Sequence, residues 1–452
     1  LGGGNGATAA DGYAKATASI TESTGGVYSG IRLVGTITAG AGDVILRGQD
    51  SALVGTTSHS TGIETTKASF VKTTTGSISL DGALSTGVTG TGNHIGILLG
   101  WGGTAESGTN VVSSDSGAIS LTGSSSTLAN AKGWGLWLAG SNVTSTSGNI
   151  TLTSNGNAAN TTEFIFAAGA VTSTSGAVLL KTSSTPGTAT FTSGSLNSDA
   201  SVTVQAYAPT VTALTLGGSG AKVFESPNGT DSFASAFSNA NLTTSSTSSS
   251  VRIGRISNNV DVTVAGQLQA LGNIHVYGKN ISATADITSS NAGGAVLLKA
   301  TADISLTGGV SATRRVIQTN AGPITLWSDS DNSGAGAINL ANFSTLNSAG
   351  GSVLSATAGG QITLAGGSDA NADGLPDGYA TGNSTGNTNG VILGTIAYVA
   401  NSINVHSGTS GITVRGQSAF GRGTYITPGS TIVAGDAIWL EGSSSGSTSN
   451  YF

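Results

Sequence analysis

The chain has 452 residues, of which only 8% are charged, and its formal net charge at pH 7 is −6. The 16 Lys and Arg residues are thinly spread, which excludes the basic surface of a nucleic-acid-binding protein, and the absence of Cys excludes a disulfide framework. Hydrophobic residues still make up 37% and alternate with polar ones, so a disordered chain is not expected.

The longest apolar runs, such as residues 95–99, are far shorter than the roughly 20 residues that span a bilayer, so no transmembrane segment is predicted. Surface solubility must come from the hydroxyl and amide groups of Ser, Thr and Asn rather than from charge. Together with the lack of oxidisable Cys and Met, this composition predicts an extracellular location. Because the chain starts at Leu1 rather than at Met, we expect a piece of a longer protein.

A short phrase recurs along the chain: Gly, any residue, Ile or Val, any residue, Leu. Its clearest copies in chain order are residues 76–80, 117–121, 148–152, 176–180, 322–326 and 360–364. The alternation places the aliphatic residues of each copy on one face of a β-strand and the polar residues on the other. A short strand repeated at regular spacing is typical of a stacked-repeat protein, in which neighbouring copies bury each other's apolar face.

Between two copies of the phrase lie two further candidate strands. Residues 117–122, 133–138 and 142–147 form one such set before Gly148 restarts the cycle. The sequence therefore predicts an all-β, right-handed parallel β-helix with three strands per coil and loop insertions, in which Ile119, Ile150 and Val178 form one vertical file. The alternative is an array of immunoglobulin-like sandwiches, but no repeat of seven strands per roughly 100 residues is visible.

We predict one continuous β-helical segment over residues 1–452. Residues 207–250 are its least regular part, and residues 366–390 are an inserted loop. Neither end of the sequence resembles a polar cap, and uncapped solenoid ends expose strand edges. Either the parent protein continues beyond both ends, or copies of the chain stack end to end.

The repeats resemble those of filamentous-haemagglutinin-like exoproteins, which are large bacterial adhesins. Residues 42–46, 148–152, 272–281 and 302–309 carry the closest phrases. The resemblance implies a right-handed parallel β-helix stalk. It also implies adhesion, with glycans or proteins of a host cell surface or matrix as partners.

The sharpest local motif lies in the predicted inserted loop. Oxygen ligands alternate along it and a tight-turn Gly follows, as in the first half of an EF-hand loop and in thrombospondin type 3 and dockerin repeats. The predicted Ca²⁺ ligands are the side chains of Asp369, Asn371, Asp373 and Asp377 and the carbonyl of Leu375. The alternative is a solvated turn, which Asp, Asn and Gly favour without any metal.

Two further groups of residues bear on function. Trp134 and Trp137 are three positions apart, so we expect one in the core and the other exposed, where it could stack on a sugar ring.

Asp261, Asp286 and Asp303 come nearest to the paired carboxylates of a glycosidase. Because acids are sparse and the four His residues stand apart, we expect no enzyme.

Three hypotheses therefore remain. The first is the structural and adhesive rod of a secreted or surface-exposed adhesin, and the second is a subunit of an extracellular filament, sheath or surface layer. The third is a β-helical enzyme that processes polysaccharides, for which a groove with paired carboxylates and aromatic residues would be needed.

Overall fold

A computed structural model describes residues 14–15, 27–50, 54–56, 59–66, 69–85, 89–90, 93–101, 110–125, 132–155, 164–182, 188–205, 208–211, 215–217, 221–224, 242–244, 250–257, 260–264, 267–350, 358–383, 387–394 and 402–445. These residues form strands, turns and bends, and no helix occurs among them. The chain divides into two compact units, Leu1–Asn228 and Gly229–Phe452. The predicted irregular stretch 207–250 lies mostly outside the described residues, and the single continuous segment stays a prediction.

The strands of the first unit are, in chain order, β1 (Ala14–Lys15), β2 (Val27–Leu33), β3 (Thr36–Ala39), β4 (Val44–Gln49), β5 (Val54–Thr56), β6 (His59–Thr66), β7 (Phe70–Thr73), β8 (Ile78–Ala83), β9 (Thr89–Gly90), β10 (Asn93–Trp101), β11 (Asn110–Ser114), β12 (Ile119–Ser124), β13 (Lys132–Ala139), β14 (Ser141–Ser145), β15 (Ile150–Asn155), β16 (Phe164–Ser173), β17 (Val178–Thr182), β18 (Thr188–Ser198), β19 (Ser201–Gln205), β20 (Ala208–Val211), β21 (Thr215–Gly217) and β22 (Ala221–Phe224).

The strands of the second unit are β23 (Leu242–Thr244), β24 (Ser250–Ile253), β25 (Val262–Val264), β26 (Leu268–Ala270), β27 (Asn273–Gly278), β28 (Ile281–Ala283), β29 (Ile287–Ala292), β30 (Val296–Ala300), β31 (Ile304–Leu306), β32 (Arg315–Asn320), β33 (Ile324–Ser328), β34 (Ile338–Leu340), β35 (Ser344–Asn347), β36 (Ala349–Gly350), β37 (Ala358–Gly359), β38 (Ile362–Gly366), β39 (Ala380–Gly382), β40 (Val391–Leu393), β41 (Ile403–His406), β42 (Ile412–Ser418), β43 (Thr424–Ile426), β44 (Thr431–Val433) and β45 (Ile438–Ser444).

Each unit is a right-handed parallel β-helix with three strands per coil, as the sequence predicts. In the first unit one ladder runs β4, β8, β12, β15, β17, β19, β22, and two more run through β2, β6, β10, β13 and through β3, β7, β11, β14 before joining in β16 and β18. In the second unit the ladders are β24–β27–β30–β33–β38–β42–β45, β25–β28–β31–β34–β40–β43 and β23–β26–β29–β32–β35–β41–β44. Every one of these ladders is parallel, whereas β36 and β37 pair antiparallel.

The core of each unit consists of vertical files of aliphatic side chains. Ile119 pairs in register with Ile150, and Ile150 pairs with Val178. These three side chains are at most 1% exposed, so the predicted file is confirmed. β-Branched residues suit these ladders because they pack well against like neighbours on a pleated surface.

A second file runs along the corner that precedes the β12 ladder. The hydroxyl of buried Ser114 accepts the N–H of Gly117 (2.9 Å) and donates to the carbonyl of Gly76 one coil earlier (3.2 Å). The hydroxyl of Ser173 likewise donates to the Gly148 carbonyl (2.8 Å). A Cβ on Gly148 would overlap the carbonyl of Gly117, so the coils approach too closely here for any residue except Gly.

Asx side chains also join the coils at the corners. Asn149 and Asp303 each stand just before a strand and Asn273 begins one. Each side-chain oxygen accepts a backbone N–H of the following coil at 2.8–2.9 Å. These hydrogen bonds supply acceptors for backbone N–H groups at the turns, which the strand ladders do not pair. The coils are therefore held together by side chains at the corners as well as by the ladders.

Candidate functional site

The candidate site lies in the segment between β38 and β40, within which β39 pairs parallel with β42. Its first part is fixed to the outer surface of the second unit at two points. The indole N–H of Trp327 donates to the carbonyl of Gly367 (2.7 Å), and Arg415 Nη1 donates to the carbonyl of Asp377 (3.2 Å). Strand alternation turns Trp327 away from the core, yet it is only 2% exposed. The segment is thus a docked loop rather than a free one.

The four predicted side-chain ligands lie together in this loop. The carboxylate of Asp369 accepts the N–H groups of Asp373 and Gly374, both at 3.0 Å. The amide nitrogen of Asn371 donates to Asp377 Oδ1 (3.0 Å) and lies 3.3 Å from Asp373 Oδ2. The loop therefore places three carboxylates and one amide around a single turn.

The fifth predicted ligand belongs to the same turn. The N–H of Leu375 donates to Asp373 Oδ1 (2.8 Å), and its side chain is 42% exposed. Ala372 and Gly374 have φ values of 59° and 83°, the left-handed conformation that tight turns use. Oxygen donors of this type suit a hard cation such as Ca²⁺.

Within the described ranges, no group of three or more His, Asp or Glu side chains is arranged to hold a metal ion. In the loop the carboxylate oxygens accept backbone N–H groups instead, as an Asx-rich turn does without metal. Coordination would require Asp369, Asp373 and Asp377 to turn toward one ion. Calcium binding therefore stays a prediction.

Lys299 lies between the β-helix and the loop. Its Nζ is 3.3 Å from the centroid of the Trp327 ring, and Trp327 is its register partner on the next strand. Burial lowers the pKa of Lys299, while the nearby carboxylate of Asp369 acts in the opposite direction. The ammonium thus contributes a cation–π contact on one side and an attraction to the loop on the other.

A second polar cluster flanks the loop at β45. Glu441 accepts hydrogen bonds from the Tyr379 hydroxyl and from Trp439 Nε1, the latter at 3.3 Å, and lies 3.6 Å from Arg415 Nε. The hydrogen bond to Glu441 raises the pKa of Tyr379, and the same bond lowers the pKa of Glu441. Trp439 is 59% exposed, so this cluster lies at the surface.

The expectation for Trp134 and Trp137 is wrong. Their rings lie 5.2 Å apart in an edge-on arrangement at 70°, and both side chains are half-buried. The reason is that Gly135 and Leu136 are both buried, so the alternation along β13 shifts by one residue between the two Trp residues. Both indoles therefore lie on the same side of the strand.

Two of the three carboxylates closest to a glycosidase pair, Asp261 and Asp303, lie in one corner file two coils apart with Asn280 between them, and Asp286 lies at another corner. Asp261 accepts the side-chain amide of Asn280 (2.7 Å), and Asp286 accepts the N–H of Val316 (3.0 Å). Asp303 accepts a backbone N–H at 2.8 Å and a side-chain amide at 2.8 Å. Asp261 and Asp303 are thus held by amide groups, and Asp286 is held by a backbone N–H and by Arg315, whose Nη1 lies 3.7 Å away.

One buried cluster of polar residues was not predicted from the sequence. Asp50, Ser60 and His94 are at most 2% exposed, and Ser60 Oγ lies 2.6 Å from His94 Nδ1. Burial raises the pKa of Asp50, against the effect of hydrogen bonds from Ser85 and Ser60. The three residues lie on different strands or turns of two coils, so only the register of β6 with β10 brings Ser60 and His94 together.

No protein-family model, no curated protein and no solved structure matches the chain. Across the described residues there is no helix of sufficient length and apolarity to cross a membrane. The proposed function therefore rests on the fold and on the geometry of its loops.

Proposed function

We propose that the chain is the structural and adhesive rod of a large, secreted or surface-exposed bacterial adhesin of the filamentous-haemagglutinin-like type. The observation that carries the proposal is the way consecutive coils are joined. Aliphatic files, backbone ladders and the Ser114–Gly117 corner contacts repeat from coil to coil, so tension along the axis is shared by many parallel hydrogen bonds. A stalk that holds a binding surface away from a cell needs this property.

The chemistry of the outer surface supports the same proposal. With 8% charged residues and outward-facing Ser and Thr, the surface stays hydrated without a strong field of either sign. Such a surface suits contact with neutral glycans or proteins of a host cell or matrix. An extracellular location belongs to the proposal and is tested by labelling intact cells with an antibody against the chain.

A polysaccharide-processing enzyme is less well supported. Its carboxylates would need to face one another across a substrate, at about 5–10 Å. Asp261 and Asp303 are instead held by amide groups, with Asn280 between them, and Asp286 is held by a backbone N–H and by Arg315. The proposal therefore gives these residues a structural role.

Calcium forms a subordinate part of the proposal. Asp369, Asn371, Asp373 and Asp377, with the Leu375 carbonyl, would bind Ca²⁺ in the docked loop. The ion would then replace the amide contacts of these carboxylates and stiffen the loop against the β-helix.

The test uses beads that carry the whole chain through one end. Retention under flow on epithelial cells and on matrix-coated glass is compared with beads that carry an unrelated soluble protein. Retention above that control is the expected result. Equal retention would contradict adhesion, and low-force unfolding of the tethered chain in an optical trap would contradict the mechanical role.

A further inference from the structure

One corner of the first unit buries a chain of three polar side chains. Asp50 directly follows β4, Ser60 lies on β6 and His94 lies on β10, and all three are at most 2% exposed. The pairing of β6 with β10 places Ser60 and His94 side by side in consecutive coils. Because buried polar groups persist only when they are hydrogen-bonded, the bonds among these three side chains determine which charges the corner can hold.

Ser60 is the middle member of this chain. Its hydroxyl lies 2.6 Å from His94 Nδ1, and the donor of this short hydrogen bond depends on the imidazole tautomer. Ser60 also hydrogen-bonds to the Asp50 carboxyl, more weakly than the backbone N–H of Ser85 does. Asp50 Oδ2 has no other donor within the described ranges. One hydroxyl thus contacts a buried acid on one side and a buried base on the other.

A hydroxyl carries a single proton, so Ser60 can donate to only one of its two neighbours at a time. If it donates to His94 Nδ1, a protonated Asp50 carboxyl completes the chain by donating to Ser60 Oγ, and both end groups are neutral. If it donates to an Asp50 carboxylate, His94 Nδ1 carries a proton and donates it to Ser60 Oγ. His94 then keeps its Nε2 proton as well and is an imidazolium. The two patterns contain the same number of protons.

We propose that Asp50, Ser60 and His94 form a buried proton relay, which sets the pH range over which the coils containing β6 and β10 stay closed. In passing from the first pattern to the second, Asp50 releases its proton to Ser60 Oγ while Ser60 releases its own proton to His94 Nδ1. No proton enters or leaves, and the net charge of the corner stays zero. A further proton, or the loss of one, leaves an unbalanced buried charge, which is costly. This inference concerns the coils themselves and does not depend on adhesion.

The strands that pack around the relay carry other titratable or charged residues. They are Lys15 of β1, Tyr28 and Arg32 of β2, Arg47 of β4, His59 and Glu64 of β6, Asp81 of β8 and Lys132 of β13. Arg47 and Asp81 pair in register, and Glu64 lies 3.7 Å from Arg32 Nε. These four charges are therefore matched among themselves. Tyr28 is the register partner of Ser60, and His94 is the sole titratable residue of β10.

The relay predicts a plateau of stability. The pKa of unfolded Asp is 3.8, and that of unfolded His is about 6.5. Between these values the unfolded chain carries an aspartate and an imidazolium, the same number of protons as the relay, so the contribution of the relay does not vary with pH. At lower pH the unfolded chain binds more protons than the relay, and at higher pH it binds fewer, so stability falls on both sides. The urea midpoint of the wild type, measured against the double variant Asp50→Asn, His94→Gln, should show this flat maximum, and a difference that rises or falls steadily with pH would contradict it.

The first NMR experiment uses the wild-type chain with ¹⁵N in its His rings and ¹³C in its Asp carboxyls, from pH 3 to 9. The chain has only four His residues, so His94→Gln, or elimination with Gln variants of the other three, assigns the ring signal. Two coupled groups titrate as a pair, so the His94 ring and one Asp carboxyl should change together at the same two pH values. If the His94 ring instead shows one midpoint that no Asp carboxyl shares, the relay does not exist.

The second NMR experiment breaks the relay at each member. Asp50→Asn keeps a polar side chain but removes the anion that favours the imidazolium, so the titration midpoint of the His94 ring should fall by about one pH unit or more. Ser60→Ala removes the link and should lower the midpoint as well. Asp81→Asn takes an acid from the next coil and is the matched control, which should leave the midpoint unchanged. An unchanged midpoint in Asp50→Asn, or an equal shift in the control, would overturn the proposal, and the shared midpoints of the wild type decide if a variant does not fold.

Discussion

Lys299 and Trp327 occupy neighbouring strands of one ladder, and the ammonium of the first rests 3.3 Å from the ring centroid of the second. The same indole donates its N–H to the carbonyl of Gly367. A single Trp therefore fixes both a half-buried cation and the start of the docked loop.

Trp327→Phe keeps an aromatic ring under Lys299 but removes the donor to Gly367. We expect a loss of about 1–3 kcal/mol in the free energy of unfolding, because the Gly367 carbonyl then remains buried without its partner. The loop should also be cleaved faster by protease. Urea denaturation and limited proteolysis measure the two effects. Trp439→Phe, at an exposed Trp, should change stability by less than about 0.5 kcal/mol, and an equal effect in both variants would contradict the docking role.

Gly148→Ala tests the close approach of coils at the corner. The added methyl group overlaps the Gly117 carbonyl, so the expected cost is about 1–3 kcal/mol, measured by chemical denaturation. Gly42 lies in the same corner file, but a Cβ there meets nothing within 4 Å. Gly42→Ala should therefore be nearly neutral, and similar losses for both substitutions would count against the corner file as a structural constraint.

Asp50→Asn tests the buried carboxyl. The unfolded pKa is 3.8 and burial raises the folded value, so the contribution of Asp50 to stability is fully present below pH 3.8 and is lost as the pH rises through the folded pKa. The melting temperature of the variant relative to wild type should thus be more favourable at pH 7 than at pH 3. Asp115→Asn, at an exposed side chain, is the control. If the difference in melting temperature between variant and wild type does not vary with pH, ionisation of Asp50 does not destabilise the fold.

Calcium should raise the melting temperature of the wild type relative to the chain in chelator. An ion at 100 times its dissociation constant stabilises by about 2.7 kcal/mol. Asp373→Ala should abolish the difference, whereas Asp331→Ala, in a separate Asx turn, should preserve it. Identical curves with and without calcium in the wild type would leave the loop as an ordinary Asx-rich turn.

The sequence predicts the core well because strand alternation has a period of two. Ile119, Ile150 and Val178 stand at the same place in three copies of one phrase, and register follows directly from that repetition. The spacing of the phrases also predicts three strands per coil. The same reasoning fails at Trp134 and Trp137, since the break in alternation at Gly135 and Leu136 is visible only in the folded strand.

The corner contacts could not be predicted in the same way. Ser114 precedes Gly117 by three residues, a spacing visible in the sequence, but the second partner of its hydroxyl is Gly76, 38 residues away. The docking of the loop on Trp327 is equally hidden, because Gly367 is 40 residues distant. The side chains of the predicted calcium motif lie in one turn because they are within nine residues of sequence, but they are not arranged to hold a metal ion, and calcium binding stays a prediction.

Because each coil offers the next one the same corner, the coils are interchangeable modules. Removal of residues 117–147 would bring Gly148 onto Gly76 and Ile150 onto Ile78, with the same hydroxyl, carbonyl and aliphatic partners in place. Unequal recombination between repeats could therefore lengthen or shorten this protein by whole coils without disturbing its interior. Length is then a trait that selection can adjust in steps, while the outward-facing positions of each coil remain open to substitution.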